Sequence, residues 1–369
     1  MKMKSEEASQ HVNESQTPET SIRLECMHNS MVFTKTEFLC CEHEGRRFRY
    51  SSNNQLEDSC NPSLAAELAV FSGNVMKLIL GEPQPDYYLA RHTQKDKYYR
   101  ISNELEDYED WNCVIRINPE GEIFFNWKDS GDKPILSVKI HQLTAILVVC
   151  HFLGEIDWAD DNFGFVKRGD EFIAVRLDPA CSFHSSVFNN TYGDLAKKLE
   201  NLLISYISKE INEHTDEPFY YLSGLIDHES KTLKTPTAKR LFSNRAELIE
   251  TLCRISELSK EELDTVAKKS FSKENWSIAE DYVKKLLFRQ EAYQEAFYTL
   301  SKQKKQKHDA TTSAEIVPLK YFEPPKDDSF TSISSHPMGT FSLSRKRKQP
   351  DLPAGCPEEQ TNSLSQSAT

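Results

Sequence analysis

No stretch of this 369-residue chain stays apolar for long. The longest such run, Ala145 to Cys150, is broken by His151 and falls far short of the roughly 20 residues that span a bilayer. No transmembrane segment is therefore expected. The opening residues, MKMKSEEASQHVNESQTPETS, lack the apolar core of a secretory signal. Cysteine pairing patterns are missing too. The nine cysteines form no C-x-x-C pair, and no histidines stand at zinc-finger spacing from them. Reduced thiols in a cytoplasmic compartment are expected, rather than a zinc site or a disulfide framework. Cationic surplus is also lacking. Lys and Arg number 45 against 57 Asp and Glu, a net charge of -12, which excludes a general nucleic-acid binder because phosphate neutralisation needs a cationic face. No internal repeat is visible. A hydrophobic content of 38% and a mean hydropathy of -0.61 leave part of the chain with too little apolar surface to fold.

What is present reads as an α+β chain between polar ends. Residues 1–20 have no periodicity and are expected to be a disordered arm. From Ile22 to Tyr50, short β-forming runs surround a turn at Glu44-Gly45. Asn61 then offers an N-cap and Pro62 a first helical residue. Leu64, Leu68, Phe71, Val75 and Leu78 recur at helical spacing up to Gly81. Strand-like runs at Tyr87 to His92 and Lys97 to Ser102 follow, and a hairpin from Cys113 to Trp127 is signalled by Asn118-Pro119-Glu120-Gly121. A helix around His141 to Leu153 is apolar on all sides and should be buried. Helices are expected at Asp194 to Ile211, Asn244 to Leu258, Glu261 to Lys269 and Trp276 to about Lys305. Past Asp309 the composition turns to Ser, Thr, Pro and Lys without periodicity.

The chemistry-bearing stretch lies behind the buried helix. Asp157 and Asn162 stand in a D-x-x-x-x-N spacing on a polar loop. A hairpin of Phe165-Val166 and Phe172 to Leu177, turned by Lys167-Arg168-Gly169-Asp170, then returns the chain to Asp178. Phosphoryl transfer asks for such a set: a group to orient or deprotonate the attacking hydroxyl, and hard oxygen ligands for Mg²⁺. Spacing alone does not single it out, since Asp107, Asn112 and Asp129 repeat the pattern ahead of another hairpin. The buried helix entering the loop and the helices behind it favour the Asp157 set. Asp160 and Asp161 read as solvated loop carboxylates, and His151 as a core histidine.

GEIDWADDNFGFV and FIAVRLDP resemble the catalytic and metal-binding segments of the phosphoinositide-kinase-like and HipA-like branch of the kinase fold. They are closer still to bacterial secreted effector kinases with a G-E-x-D-x-x-x-x-N-x-G pattern. The resemblance spans roughly Asn61 to Phe183. It implies a two-lobed protein-kinase-like fold, with a small β-rich N-lobe carrying one main helix (21–105), a larger, mostly helical C-lobe (106–305), and a disordered tail (306–369). It implies ATP and Mg²⁺ as cofactors, Asp157 as the catalytic aspartate, and Asn162 and Asp178 as metal ligands. Glu67 would pair with the nucleotide-binding cation, for which Arg49 in RRFRY is the candidate. Ile101, Asn103 and Leu105 would form the adenine hinge. The acceptor would be a hydroxyl of a lipid headgroup, an inositol phosphate or a protein. A secreted effector would also meet host protein partners, and Arg345 to Lys348 offer a nuclear-import signal.

The departures from the pattern are specific. Arginine stands where the family carries lysine, no Gly-rich loop precedes it, Trp158 replaces a basic residue, and the third motif reads Asp178-Pro179-Ala180. The segment after Asp178, CSFHSSVFNNTYGD, holds no lysine or arginine, so lipid specificity is not supported. These departures keep open a second reading, a weak or inactive pseudokinase serving as an interaction module.

Overall fold

Alternating apolar and polar residues put every second side chain of the N-terminal strands inward, and those strands close on themselves. In the computed structural model, residues 23–37, 39–51, 62–95, 97–118, 122–128, 131–157, 162–189, 194–200, 226–227, 232–233 and 241–308 are described. Strands β1 (Arg23–Cys26), β2 (Val32–Glu37), β3 (Cys40–His43), β4 (Arg46–Ser51), β5 (Tyr87–His92) and β6 (Tyr98–Asn103) form a closed antiparallel barrel in the order β1-β2-β3-β4-β6-β5. Closure comes from β1, where Leu24 stands opposite Phe33 on one side and His92 on the other. Leu24, Phe33, Cys41, Phe48, Ala90 and Ile101 fill the interior. The expected turn at Glu44-Gly45 joins β3 to β4, both residues having positive φ (49° and 74°). The α+β class stands, and the N-terminal strands expected from the sequence form a closed barrel.

Helix α1 (Pro62–Leu80) crosses from β4 to β5 and lays Ala66 and Val70 on the outer face of the barrel against Tyr87 and Leu89. Among the described residues, α1 is the helix long and apolar enough to cross a membrane, but 72% of that window is buried inside the protein. Its length and composition are those of a core helix. The expected cap Asn61 lies outside the described residues.

Beyond the barrel, β7 (Tyr108–Asp110), α2 (Trp111–Val114), β8 (Ile115–Ile117), β9 (Ile123–Trp127) and β10 (Gly131–Pro134) follow in order. The expected hairpin becomes a three-stranded sheet, because residues 131–134 pair with β9. Strand β11 (Lys139–His141) runs parallel to a later strand, so helix α3 (Leu143–Leu153) starts two residues beyond His141. Every residue of α3 is buried. Its free N–H groups find a carboxylate from far along the chain: Glu247 accepts from Gln142 at 3.0 Å and from Thr144 at 3.2 Å.

Strands β12 (Phe163–Arg168) and β13 (Glu171–Arg176) make the expected hairpin, turned at Gly169 (φ 61°). They join β11 and β7 in a four-stranded sheet of order β11-β13-β12-β7. Short helices α4 (Ser185–Phe188) and α5 (Leu195–Glu200) follow. The rest of the helix expected to Ile211 lies outside the described residues, apart from which a two-stranded ribbon, β14 (Ile226–Asp227) and β15 (Thr232–Leu233), intervenes.

Helix α6 (Arg245–Glu257) is capped by the Asn244 side chain, and α7 (Lys260–Ser270) by a reciprocal Ser259–Glu262 box. The last described helix is α8 (Trp276–His308). One apolar cluster runs from α1 through α3 to α8, so helix and sheet share a core. The N-terminal arm, Arg345 to Lys348 and the rest of the tail after 308 lie outside the described residues.

Candidate functional site

The Asp157 loop begins where α3 ends. Gly154 takes the left-handed conformation (φ 66°) and stops the helix, with its N–H on the His151 carbonyl and the Glu155 N–H on that of Cys150. A Cβ at this position would stand 2.8 Å from Cβ of Phe188, so glycine is required by space as well as by φ. The next residue, Glu155, turns inward and is fully buried. Its Oε1 accepts the Asp157 N–H at 2.8 Å, and its Oε2 accepts the Ser182 hydroxyl at 2.8 Å. Ser182 is itself met by the Ser72 hydroxyl of α1 at 2.5 Å. Burial pushes the Glu155 carboxyl up to about 7, although Arg176 and these hydrogen bonds favour its charge.

Arg176, the last residue of β13, is the counter-charge, 3.5 Å from Glu155 with both side chains fully buried. It is also a main-chain clamp. Nη2 donates to the Asp157 carbonyl at 2.5 Å and Nη1 to the Asn162 carbonyl at 2.9 Å, so one guanidinium holds the two candidate residues by their backbone. The Asn162 carbonyl also accepts the Leu177 N–H at 2.9 Å, which places Asn162 directly against the residue before Asp178. Asp157 and Asp178 both bear on the same neighbours. Burial pushes the Cys181 thiol up, and Glu155, Asp157 and Asp178 push it further. The structure thus gathers Asp157, Asn162 and Asp178 around the end of β13. The intervening residues 158–161, with Trp158, Asp160 and Asp161, lie outside the described ones.

Asp178 is held from the barrel side. The Arg100 guanidinium, on barrel strand β6, donates to its Oδ1, which also accepts the Ala180 N–H at 3.0 Å. Burial would raise the Asp178 carboxyl, but Arg100, by charge and hydrogen bond, and Arg176 together hold it down at about 2. Tyr87 braces the pair. Its ring lies 5.9 Å from the Arg100 guanidinium carbon, and its hydroxyl donates to the Leu177 carbonyl at 2.6 Å.

Five further expected residues have defined places, and Glu67 and Arg49 take partners other than each other. Glu67 is fully buried, yet its carboxylate accepts the Ser272 N–H at 3.1 Å and the Asn275 amide at 2.6 Å, both in the connection between α7 and α8. Its geometry is that of a tether for α1, and the expected cation pair is replaced by it. Arg49 does share the outer barrel face with Arg100, since it stands opposite Ser102 in the ladder while Arg100 stands opposite Ser51. It is half exposed, however, with Nε 3.9 Å from Glu104. Ile101 points into the barrel, because alternation along β6 sends it opposite to Arg100. Asn103 caps the β5 strand by accepting the Asp86 N–H at 2.7 Å. Leu105 is half-buried in the connection after β6.

Sequence reasoning passed over Arg100, Arg176 and Glu155. For the two arginines the signal was available, since YYRISN and FIAVRL each carry one charge in an apolar run, where an arginine persists only if paired. His151 is the core histidine expected, with Nδ1 2.5 Å from the Tyr293 hydroxyl.

No protein-family model matches this chain, and no curated protein does. Among solved structures it is similar to a Helicobacter pylori proinflammatory kinase, CtkA. Sequence identity is 10%, the TM-score is 0.39, and the match covers 78% of this chain and 95% of that one.

Proposed function

We propose that the chain is an ATP- and Mg²⁺-dependent phosphotransferase acting on an alcohol group. One observation carries this reading: the backbone of Asp157 is pinned at both polar atoms, its N–H on Glu155 and its carbonyl on Arg176, and the same arginine fixes Asn162 beside the Asp178 turn. A group that orients or deprotonates a hydroxyl needs a fixed main chain, and buried strands supply it here. Asp157 would take that role.

The donor set of Asn162 and Asp178 is oxygen-only and suits Mg²⁺, which takes few protein ligands and completes its shell with phosphate and water. Bound there, the ion would neutralise charge on the phosphates. Asp178, ionised by its arginine neighbours, would offer its carboxylate at neutral pH. The acceptor is proposed as a hydroxyl of a protein, an inositol phosphate or a lipid headgroup. Delivery to a host cell is part of the same proposal only through the resemblance described above.

The test is ATP consumption by the purified chain, screened across phosphoinositides, inositol phosphates and generic protein substrates. Asp157→Ala is expected to reduce turnover by about 100-fold or more, and Asp178→Ala to abolish it. Turnover indifferent to both substitutions refutes the reading. A second reading, a non-catalytic interaction module, draws on Glu67 being committed to Ser272 and Asn275. It predicts no thermal shift with Mg²⁺ and ATP, and a clear shift argues against it.

A further inference from the structure

Arg100 and Arg176 are both buried beside Asp178, yet they are bonded differently. Arg176 donates to main-chain carbonyls, which cannot move without the loop. Arg100 donates to the Asp178 side chain, at the very oxygen that also takes the Ala180 N–H. A metal ion approaching Oδ1 therefore meets a guanidinium already in place, and two cations on one carboxylate oxygen repel. Phosphate oxygens bind guanidinium at least as well as a carboxylate does, through paired charge-assisted hydrogen bonds.

We propose that Arg100 makes metal binding at Asp178 conditional on phosphate. In the ligand-free chain its guanidinium holds Oδ1, and an arriving polyphosphate takes the guanidinium over and releases the carboxylate to the metal. The inference rests on the phosphotransferase reading and adds a coupling that the reading does not require. By linkage, nucleotide and metal then strengthen each other through Arg100, beyond what shared coordination supplies. The barrel cation in this role stands on β6, whereas Arg49 on β4 is paired with Glu104.

The experiment titrates Mn²⁺ calorimetrically into the full chain, alone and with a non-hydrolysable ATP analogue, for wild type, Arg100→Gln and Arg100→Lys. Arg100→Gln is expected to bind Mn²⁺ alone on the order of tenfold more tightly than wild type, the scale of removing one close charge partner. The factor by which the analogue tightens Mn²⁺ should shrink in parallel. Arg100→Lys, with a compact charge and no fork, should show a smaller gain. A purely structural arginine predicts the opposite, since loosening the site lowers metal affinity. Folded Arg100→Gln with unchanged or weaker Mn²⁺ binding overturns the inference, while wild-type binding of Mn²⁺ with the analogue leaves the phosphotransferase reading intact. Wild type that binds neither overturns both. Should Arg100→Gln fail to fold, Arg100→Lys decides, and absence of any gain there counts against the proposal.

Discussion

Replacing Glu155 by glutamine isolates the cost of a buried carboxylate next to the candidate base. Glu155 is fully buried, and its carboxyl sits at about 7 against an ordinary 4.5. The sign follows from linkage. A group whose folded pKa is raised contributes stability that is complete below its unfolded pKa and is lost as pH rises through the folded one. The window here runs from about 4.5 to about 7. At 1.36 kcal/mol per pKa unit, wild type should lose about 3 kcal/mol across it through this residue. Glutamine keeps the shape and an acceptor oxygen but cannot ionise. The difference between the two stability curves, from urea denaturation at pH 4.5 to 8, should therefore grow by about 3 kcal/mol in favour of the variant as pH rises. Comparing the two proteins cancels the titration of every other group. Parallel curves over that range would show that Glu155 is ionised throughout, with Arg176 outweighing burial, and the reasoning would fail.

Three further substitutions probe the scaffold around the site. Arg289 of α8 donates to the carbonyls of His151, Phe152, Val187 and Phe188. Arg289→Met leaves those acceptors buried and should cost about 3–5 kcal/mol in urea denaturation, whereas an effect below 1 kcal/mol would mean that water replaces it. Glu67→Gln swaps an acceptor oxygen for a donor facing the Ser272 N–H or the Asn275 amide. A loss of about 1–3 kcal/mol is expected, and no loss would show that the tether is idle. Gly154→Ala combines φ 66° with a Cβ 2.8 Å from Phe188. It should lower the thermal midpoint by several degrees, for a cost of about 1–3 kcal/mol, and an unchanged midpoint would contradict the close approach.

The elements with one dominant local signal were legible in the sequence. Proline at the start and glycine at the end framed α1, all-round apolarity marked α3 as buried, and Gly169 turned the β12–β13 hairpin as its neighbours required. Partner choice was not legible. Glu67 lies on the apolar edge of α1, and sequence cannot say whether the side chain looks toward the barrel or toward a loop some 205 residues later. Arg49 and Arg100 likewise alternate onto the same barrel face, and only the ladder register and the packing of Tyr87 decide which is buried. Closure of the barrel depends on β1 pairing with β5, a contact that no local pattern announces. The helix start at Leu143 moved because a parallel pairing with β13 claimed His141.

The charges around the end of β13 constrain what the site can accept. Glu155, Asp157 and Asp178 face Arg176 and Arg100, so full ionisation leaves one negative charge in excess. Burial resists that state, and the carboxyl that gives way is the deepest, Glu155, while Asp178 stays charged. A divalent cation arriving alone would add two positive charges beside Arg100 and Arg176. A polyphosphate arriving with it would offset that positive charge. Under the phosphotransferase reading proposed above, nucleotide and metal would be favoured as a pair rather than singly, and Arg100, bonded to a side chain rather than to the backbone, would be the charge best placed to move between them.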